Sequence, residues 1–200
     1  MAGLDETHPY SKIGLENVRT LASEVQPLFK EAGILLKGEP ELNHWRITPL
    51  GVLKRAWLTL DEYATVPSDG QMPWKKVALL NVDGYLDFHT SYIAAGLADL
   101  GVECMVKGIS MPEIERLRKN PTEMRSTNIA KTLTGSLIGT LAARINEHAK
   151  DVDAVLMPAI VGLSGYSDVV RLKEMVSRPL HFLATLPPSA PAHHPNQSAG

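Results

Sequence analysis

Residues 75–106, KKVALLNVDGYLDFHTSYIAAGLADLGVECMV, decide the fold class. A short, almost wholly apolar run (VALLNV, 77–82) gives way to a helical pattern from about Phe88 to Leu100 that stops at Gly101, and a second apolar run follows (VECMV, 102–106). Strands buried on one face alternate apolar with polar residues, whereas strands covered on both faces read as continuous apolar runs. Apolar strands alternating with helices therefore predict a parallel sheet covered by helices. Two more such runs, AVLMP (154–158) and LHFLA (180–184), lie downstream, and helical patterns at about Pro121 to Leu133, Ser136 to Ala149 and Ser167 to Ser177 separate them. The expected fold class is α/β. It is a small four-stranded parallel sheet sandwiched by helices, Rossmann- or flavodoxin-like and three-layered, over residues 74–186.

Upstream, Leu15, Val18, Leu21, Ala22, Val25, Leu28 and Phe29 recur at helical spacing, so a helix is expected from Leu15 to Ala32. Gly33 supplies the stop, and Pro27 should kink or split it. HWRITPLGVLKRAWLT (44–59) holds two β-rich runs around Thr48-Pro49-Leu50-Gly51, a type I turn sequence, and predicts a β-hairpin. Residues 61–73 carry Pro67, Ser68, Asp69, Gly70 and Pro73 without periodicity and are expected to be a linker. The expected organisation is an N-terminal segment (1–14), a helix-plus-hairpin subdomain (15–60), the linker, the α/β subdomain, and a disordered Pro- and His-rich tail (187–200).

With 44% hydrophobic and 21% charged residues, the 200-residue chain can bury a real core, which argues against disorder. A net charge of −2 argues against a nucleic-acid binder. One cysteine, Cys104, rules out an internal disulfide or a four-cysteine zinc site, and the seven histidines show no metal-ligand spacing, so no metal is expected. No apolar run is long enough to span a bilayer, and the expected location is cytoplasmic. No GxGxxG, GxxxxGK(S/T), HExxH or GxSxG occurs, so the common phosphate-cradling loops are missing.

The candidates for a substrate- or flavin-facing role fall in three places. Arg46, Lys54 and Arg55 gather cations at the hairpin, where a phosphate or carboxylate could use them, although a solvated strand face looks the same. Asp83 and His89 lie where the first parallel strand gives way to a helix, the edge at which open α/β sheets hold ligands. On the helix expected from Pro121, with Asn120 as cap and Glu123 closing a capping box, Arg125, Asn128 and Thr132 form one polar stripe.

Five segments in order, HPYSKIGLENVRTLASEV (8–25), ELNHWRITPLGVLKRAWLT (41–59), EIERLRKNPTEMRSTNIAKTL (113–133), AVLMPAIVGL (154–163) and ATLPPSAP (184–191), resemble the B subunit of the anaerobic glycerol-3-phosphate dehydrogenases, a flavoprotein family. The resemblance covers nearly the whole chain but only the middle portion of that family. The parts that carry the dinucleotide loop and complete the flavin site have no counterpart here. It implies participation in oxidising sn-glycerol 3-phosphate to dihydroxyacetone phosphate with electrons passing toward quinone. It also implies FMN or FAD in the full-length family but none on this segment alone. As partners it implies the A (dehydrogenase) and C (iron–sulfur) subunits, with a peripheral place at the inner membrane through that complex. Two other readings stay open: a non-catalytic interaction module docking partner subunits through its sheet edge or hairpin, and a small flavodoxin-like domain binding FMN itself.

Overall fold

In chain order the elements are α1 (Pro9–Ile13), α2 (Leu15–Glu31), β1 (Leu36–Lys37), β2 (His44–Ile47), β3 (Leu53–Ala56), β4 (Thr59–Leu60), β5 (Thr65–Val66), β6 (Lys76–Val82) and α3 (Thr90–Asp99). They continue as β7 (Glu103–Ile109), α4 (Pro112–Glu115), a 3-10 turn (Arg116–Lys119), α5 (Ser126–Thr132), α6 (Ser136–His148), β8 (Ala154–Pro158), α7 (Tyr166–Met175) and β9 (Leu180–Leu183). The structure, a computed structural model, describes residue 3 and residues 5–119, 124–163 and 165–185.

The four apolar runs form one sheet, in the order β7-β6-β8-β9 with every pairing parallel. The central strands β6 and β8 are buried along almost their whole length, while β7 at one edge exposes Val106. Ile93 and Leu97 of α3, Ile138, Leu141, Ala142 and Ile145 of α6, and Val169 and Leu172 of α7 are the buried positions of each helix, at the spacing of a single apolar stripe. From β6 the chain steps one way to β7 and then back past β6 to β8 and β9. Right-handed crossovers therefore put α3 on one face and α6 and α7 on the other. The α/β fold class expected from the alternation is the fold observed.

β2 and β3 form the expected hairpin, with Ile47 opposite Leu53 and the Gly51 amide closing the turn onto Thr48 O at 2.9 Å. Its tip lies on α3. A Cβ on Gly96 would collide with the Gly51 backbone, and one on Gly51 would sit 2.6 Å from Tyr92 O, so two glycines let the backbones touch.

Three regions differ from the sequence reading. First, α2 runs unbroken through Pro27, which is exposed, so water can take the carbonyl that its missing N–H leaves free. Second, α5 begins only at Ser126; Arg125 is its N-cap in extended conformation (φ −103°, ψ 152°). The expected cap residues 120–123 lie outside the described residues, as does the tail from 186 onward. Arg125 thus precedes the helix, and the polar stripe reduces to Asn128 and Thr132, whose hydroxyl donates to Asn128 O at 3.0 Å. Buried Met111, itself extended, immediately precedes α4, and buried Met124 immediately precedes the extended Arg125.

Third, residues 61–73 are more than a connection. β5 joins β2, and β1 pairs with β4. Within the same stretch the Phe182 amide donates to Glu62 O (2.8 Å) and the Ala64 amide to Phe182 O (2.9 Å), extending the parallel sheet beyond β9. Glu62, Ala64 and Val66 are all buried at strand spacing, and Ile47, Ala64, Val66 and Trp74 belong to the same core as β6 and β8.

Candidate functional site

Between β6 and β8 the direction of chain travel reverses, which opens the crevice where such sheets bind ligands. Asn81 shapes its loop: Nδ2 donates to Tyr85 O (2.8 Å) and Phe88 O (3.4 Å), and Oδ1 accepts from the Val82 amide (2.9 Å). The Asp83 amide donates to Ile109 O at 3.0 Å. Its carboxylate occupies the space beside Gly108 where any side chain would stand, and Arg118 lies over Gly84. Tyr85 is fully buried, with no hydrogen-bond partner for its hydroxyl among the described residues; burial raises its pKa, while the neighbouring Thr185 and Ser126 hydroxyls act to lower it. His89 is exposed at the N-cap of α3, edge-on to Tyr92. Arg125 is exposed next to Ser126, and Asn128 is half-buried.

On the hairpin, Arg46 stands directly opposite Lys54, and Trp45 opposite Arg55, whose guanidinium lies 4.7 Å from the Trp45 ring centre. Arg46, Lys54 and Arg55 line a cleft of about 540 Å³ together with Val25, Phe29 and Trp57. No carboxylate among the described residues lies within ion-pair distance of the three. Like charges directly opposite across strands destabilise a hairpin unless something anionic offsets them. Because side chains alternate faces along a strand, Arg46 and Lys54 share one face of the hairpin while Arg55 stacks on Trp45 on the other. The fold therefore brings two of the seven candidates together here, with Arg55 at the edge, and leaves Asp83 and His89 at the end of β6 and Arg125 and Asn128 at the start of α5.

A third cleft, of about 510 Å³, opens where the small sheets meet β9 and is lined by Lys37, His44, Trp74 and His181. Lys37 Nζ donates to Asp61 O (2.8 Å), Lys173 Nζ is 3.5 Å from the Asp61 carboxylate, and His44 Nε2 is 2.7 Å from Thr59 Oγ1. Burial, with Lys37 and Lys173 adding to it, pulls His181 down to about 4, and burial together with Lys37 also lowers His44. Glu62, 4% exposed, keeps one carboxylate oxygen without a partner among the described residues. It faces the Tyr166 hydroxyl, whose pKa rises through burial and then through Glu62. Sequence reasoning missed this cluster. Its available signal was the alternation Glu62-Ala64-Val66 and a histidine inside an apolar strand.

Compared with known proteins, the FAD binding domain family model matches residues 1–199. The chain belongs to that family. It is 34% identical over 191 residues to the anaerobic glycerol-3-phosphate dehydrogenase B subunit of Yersinia pestis bv. Antiqua (strain Antiqua), covering 94% of this chain and 45% of that protein. It is 37% identical over 187 residues to the protein of the same name from Haemophilus influenzae (strain 86-028NP), covering 91% of this chain and 43% of that protein. The chain thus spans less than half the length of the curated relatives it matches, as the resemblance in its five segments implied. No solved structure matches it.

Family membership raises the question of whether this chain can itself hold a flavin dinucleotide. A pyrophosphate needs a glycine-rich turn leading straight into a helix N-terminus. Here β6 ends at Val82, α3 starts only at Thr90, the intervening turn presents Asp83 and Asp87, and Arg118 fills the space over Gly84. Carboxylates in that position repel phosphate, so the first βα turn does not fit a dinucleotide.

Proposed function

We propose that this chain is the α/β portion of a flavoprotein oxidoreductase of the anaerobic glycerol-3-phosphate dehydrogenase B-subunit type, set beside a flavin that the rest of the longer protein holds. In that role it takes part in oxidising sn-glycerol 3-phosphate to dihydroxyacetone phosphate, with electrons passing on toward quinone through a complex with the A (dehydrogenase) and C (iron–sulfur) subunits. The complex sits peripherally on the cytoplasmic side of the inner membrane. No helix among the described residues is long and apolar enough to cross a membrane. The observation that carries the reading is identity at 34% across 94% of the chain to proteins of that name. The poor fit of the Asp83–Asp87 turn to phosphate supports assigning the flavin, FMN or FAD, to other parts of the protein. Redox chemistry belongs to the flavin, and the protein positions it and tunes its potential. Arg46 and Lys54, side by side on one face of the hairpin, are the candidates suited to meet a flavin or substrate phosphate, with Arg55 on the face behind them.

The test is a titration of FMN and FAD into the purified chain, followed by flavin fluorescence and gel filtration. The expected result is a colourless chain that reduces no dye with glycerol 3-phosphate. One flavin per chain after gel filtration would assign the cofactor to this chain instead.

A further inference from the structure

α2 is amphipathic, yet none of its 17 residues is buried. Leu21 and Leu28 are 55% and 63% exposed and, with Val25 between them at helical spacing, form one stripe. Tyr10 and Ile13 of α1 extend it. A cleft of about 330 Å³ lined by Tyr10, Ile13, Leu21, Val25 and Trp57 runs along the stripe, and Val25 and Trp57 also line the hairpin cleft, so the apolar face is continuous with Arg46 and Lys54. Continuous apolar surface of this kind marks an interaction site. Helices draw most of their stability from an apolar face that packs on something.

Three occupants can be weighed. Across α1 and α2, Lys12, Arg19 and Lys30 are matched by Glu16, Glu24 and Glu31, so the helices lack the Lys- and Arg-rich polar face of a membrane-surface helix, and the excess cations, Arg46 and Lys54, stand at one end of the stripe only. A second copy meeting this face through a two-fold axis would bring its own Arg46 and Lys54 toward those of the first, an unfavourable meeting of like charges. The curated relatives, by contrast, carry more than half of their length outside the matched region. We propose that the α1–α2 face and the adjoining hairpin cleft dock the remaining, flavin-bearing portion of the longer protein, an apolar surface bordered by acidic groups that meet Arg46 and Lys54. This rests on the reading given under Proposed function.

The experiment uses a full-length chimera in which this chain replaces the matched 191 residues of the Yersinia pestis relative, compared with the isolated chain. The chimera should melt in one transition with flavin bound. Leu21→Glu with Leu28→Glu should split that transition and release at least half of the flavin, and Val170→Glu, a control on the exposed side of α7, should change neither. In the isolated chain the double variant should leave the melting temperature within about 2 °C, because these side chains touch solvent there. A chimera that melts identically with and without the double substitution overturns the proposal, as does one whose two parts melt independently. An isolated chain that sediments as a dimer and becomes monomeric in the double variant also overturns it, because the occupant is then a second copy. A chimera that melts as one unit sensitive to the substitutions but carries no flavin upholds the docking face and refutes the flavoprotein reading instead.

Discussion

Replacing Gly96 by alanine tests whether the hairpin tip is seated on α3. In an ordinary helix interior this substitution stabilises by about 0.5–1 kcal/mol, because glycine loses more backbone entropy than alanine on folding. At Gly96 the added Cβ meets the Gly51 backbone, with the carbonyl carbon at 2.6 Å and Cα at 2.9 Å. Backbone atoms cannot rotate away as a flexible side chain can, so the hairpin tip must lift, and forcing a methyl into a packed contact costs about 1–3 kcal/mol. Set against the propensity gain, the net loss is about 1–2 kcal/mol, or about 2–8 °C in melting temperature for a domain of this size. Gly139 in α6 is the internal control, since a Cβ there meets only Met175 Cε at an ordinary 3.5 Å. Gly139→Ala should therefore raise stability by about 0.5–1 kcal/mol. Urea melts followed by circular dichroism measure both. If Gly96→Ala stabilises as much as Gly139→Ala, the hairpin does not rest on α3, and the seating inferred from the two glycines is refuted.

Two further outcomes concern pH. The Asp153 carboxylate accepts from the Lys75 and Lys76 amides at 2.7 and 2.9 Å, and those bonds hold its pKa below the usual value. Its stabilisation is thus present above the unfolded pKa and lost as pH falls through the folded one, and Asp153→Asn should be less stable than the parent at pH 7 with the difference shrinking below about pH 4 in acid titration melts. His181, pulled down to about 4, stays neutral in the fold while the unfolded chain takes up a proton below its ordinary value of 6.5. Stability should therefore be full above about pH 6.5 and fall by up to about 3 kcal/mol toward pH 4, a slope that His181→Phe removes in paired melts at pH 7 and pH 5.

The α/β half of the fold was legible because its elements satisfy two demands at once. VALLNV and AVLMP are apolar on both faces, and only the interior of a helix-covered parallel sheet buries both faces of a strand, so composition alone placed them as β6 and β8. The hairpin was legible from turn chemistry, with Gly51 adopting φ +78° at the fourth turn position. The start of α5 was not legible. The reading rested on an apparent capping box at Asn120–Glu123, whereas among the described residues Met124 is buried, Arg125 is extended and the helix starts after them, so local propensity yields to tertiary packing there.

Residues 61–73 failed for a different reason, and that failure hid the junction cluster. The alternation Glu62-Ala64-Val66 is short and starts on a charged residue, and Pro67, Ser68, Asp69, Gly70 and Pro73 follow it, so the stretch looks like a linker. Its backbone nonetheless pairs with Phe182, and its carboxylate is 4% exposed. Burying an ionisable group without a full set of partners costs several kcal/mol unless something else requires it to be there. The groups facing Glu62 come from elsewhere in the chain: Tyr166 from α7, with Lys37 from β1, Lys173 from α7 and His181 from β9 around Asp61. The cluster is therefore a product of topology. It forms only when the segment after β4 is laid along β9, a long-range pairing that no local window of sequence contains. The hairpin differs in this respect: Arg46 and Lys54 are close in sequence and paired across a local turn, so their adjacency was readable, although the register puts Arg55 on the other face against Trp45. What was not readable is that α2 would lie beside them with its apolar stripe uncovered.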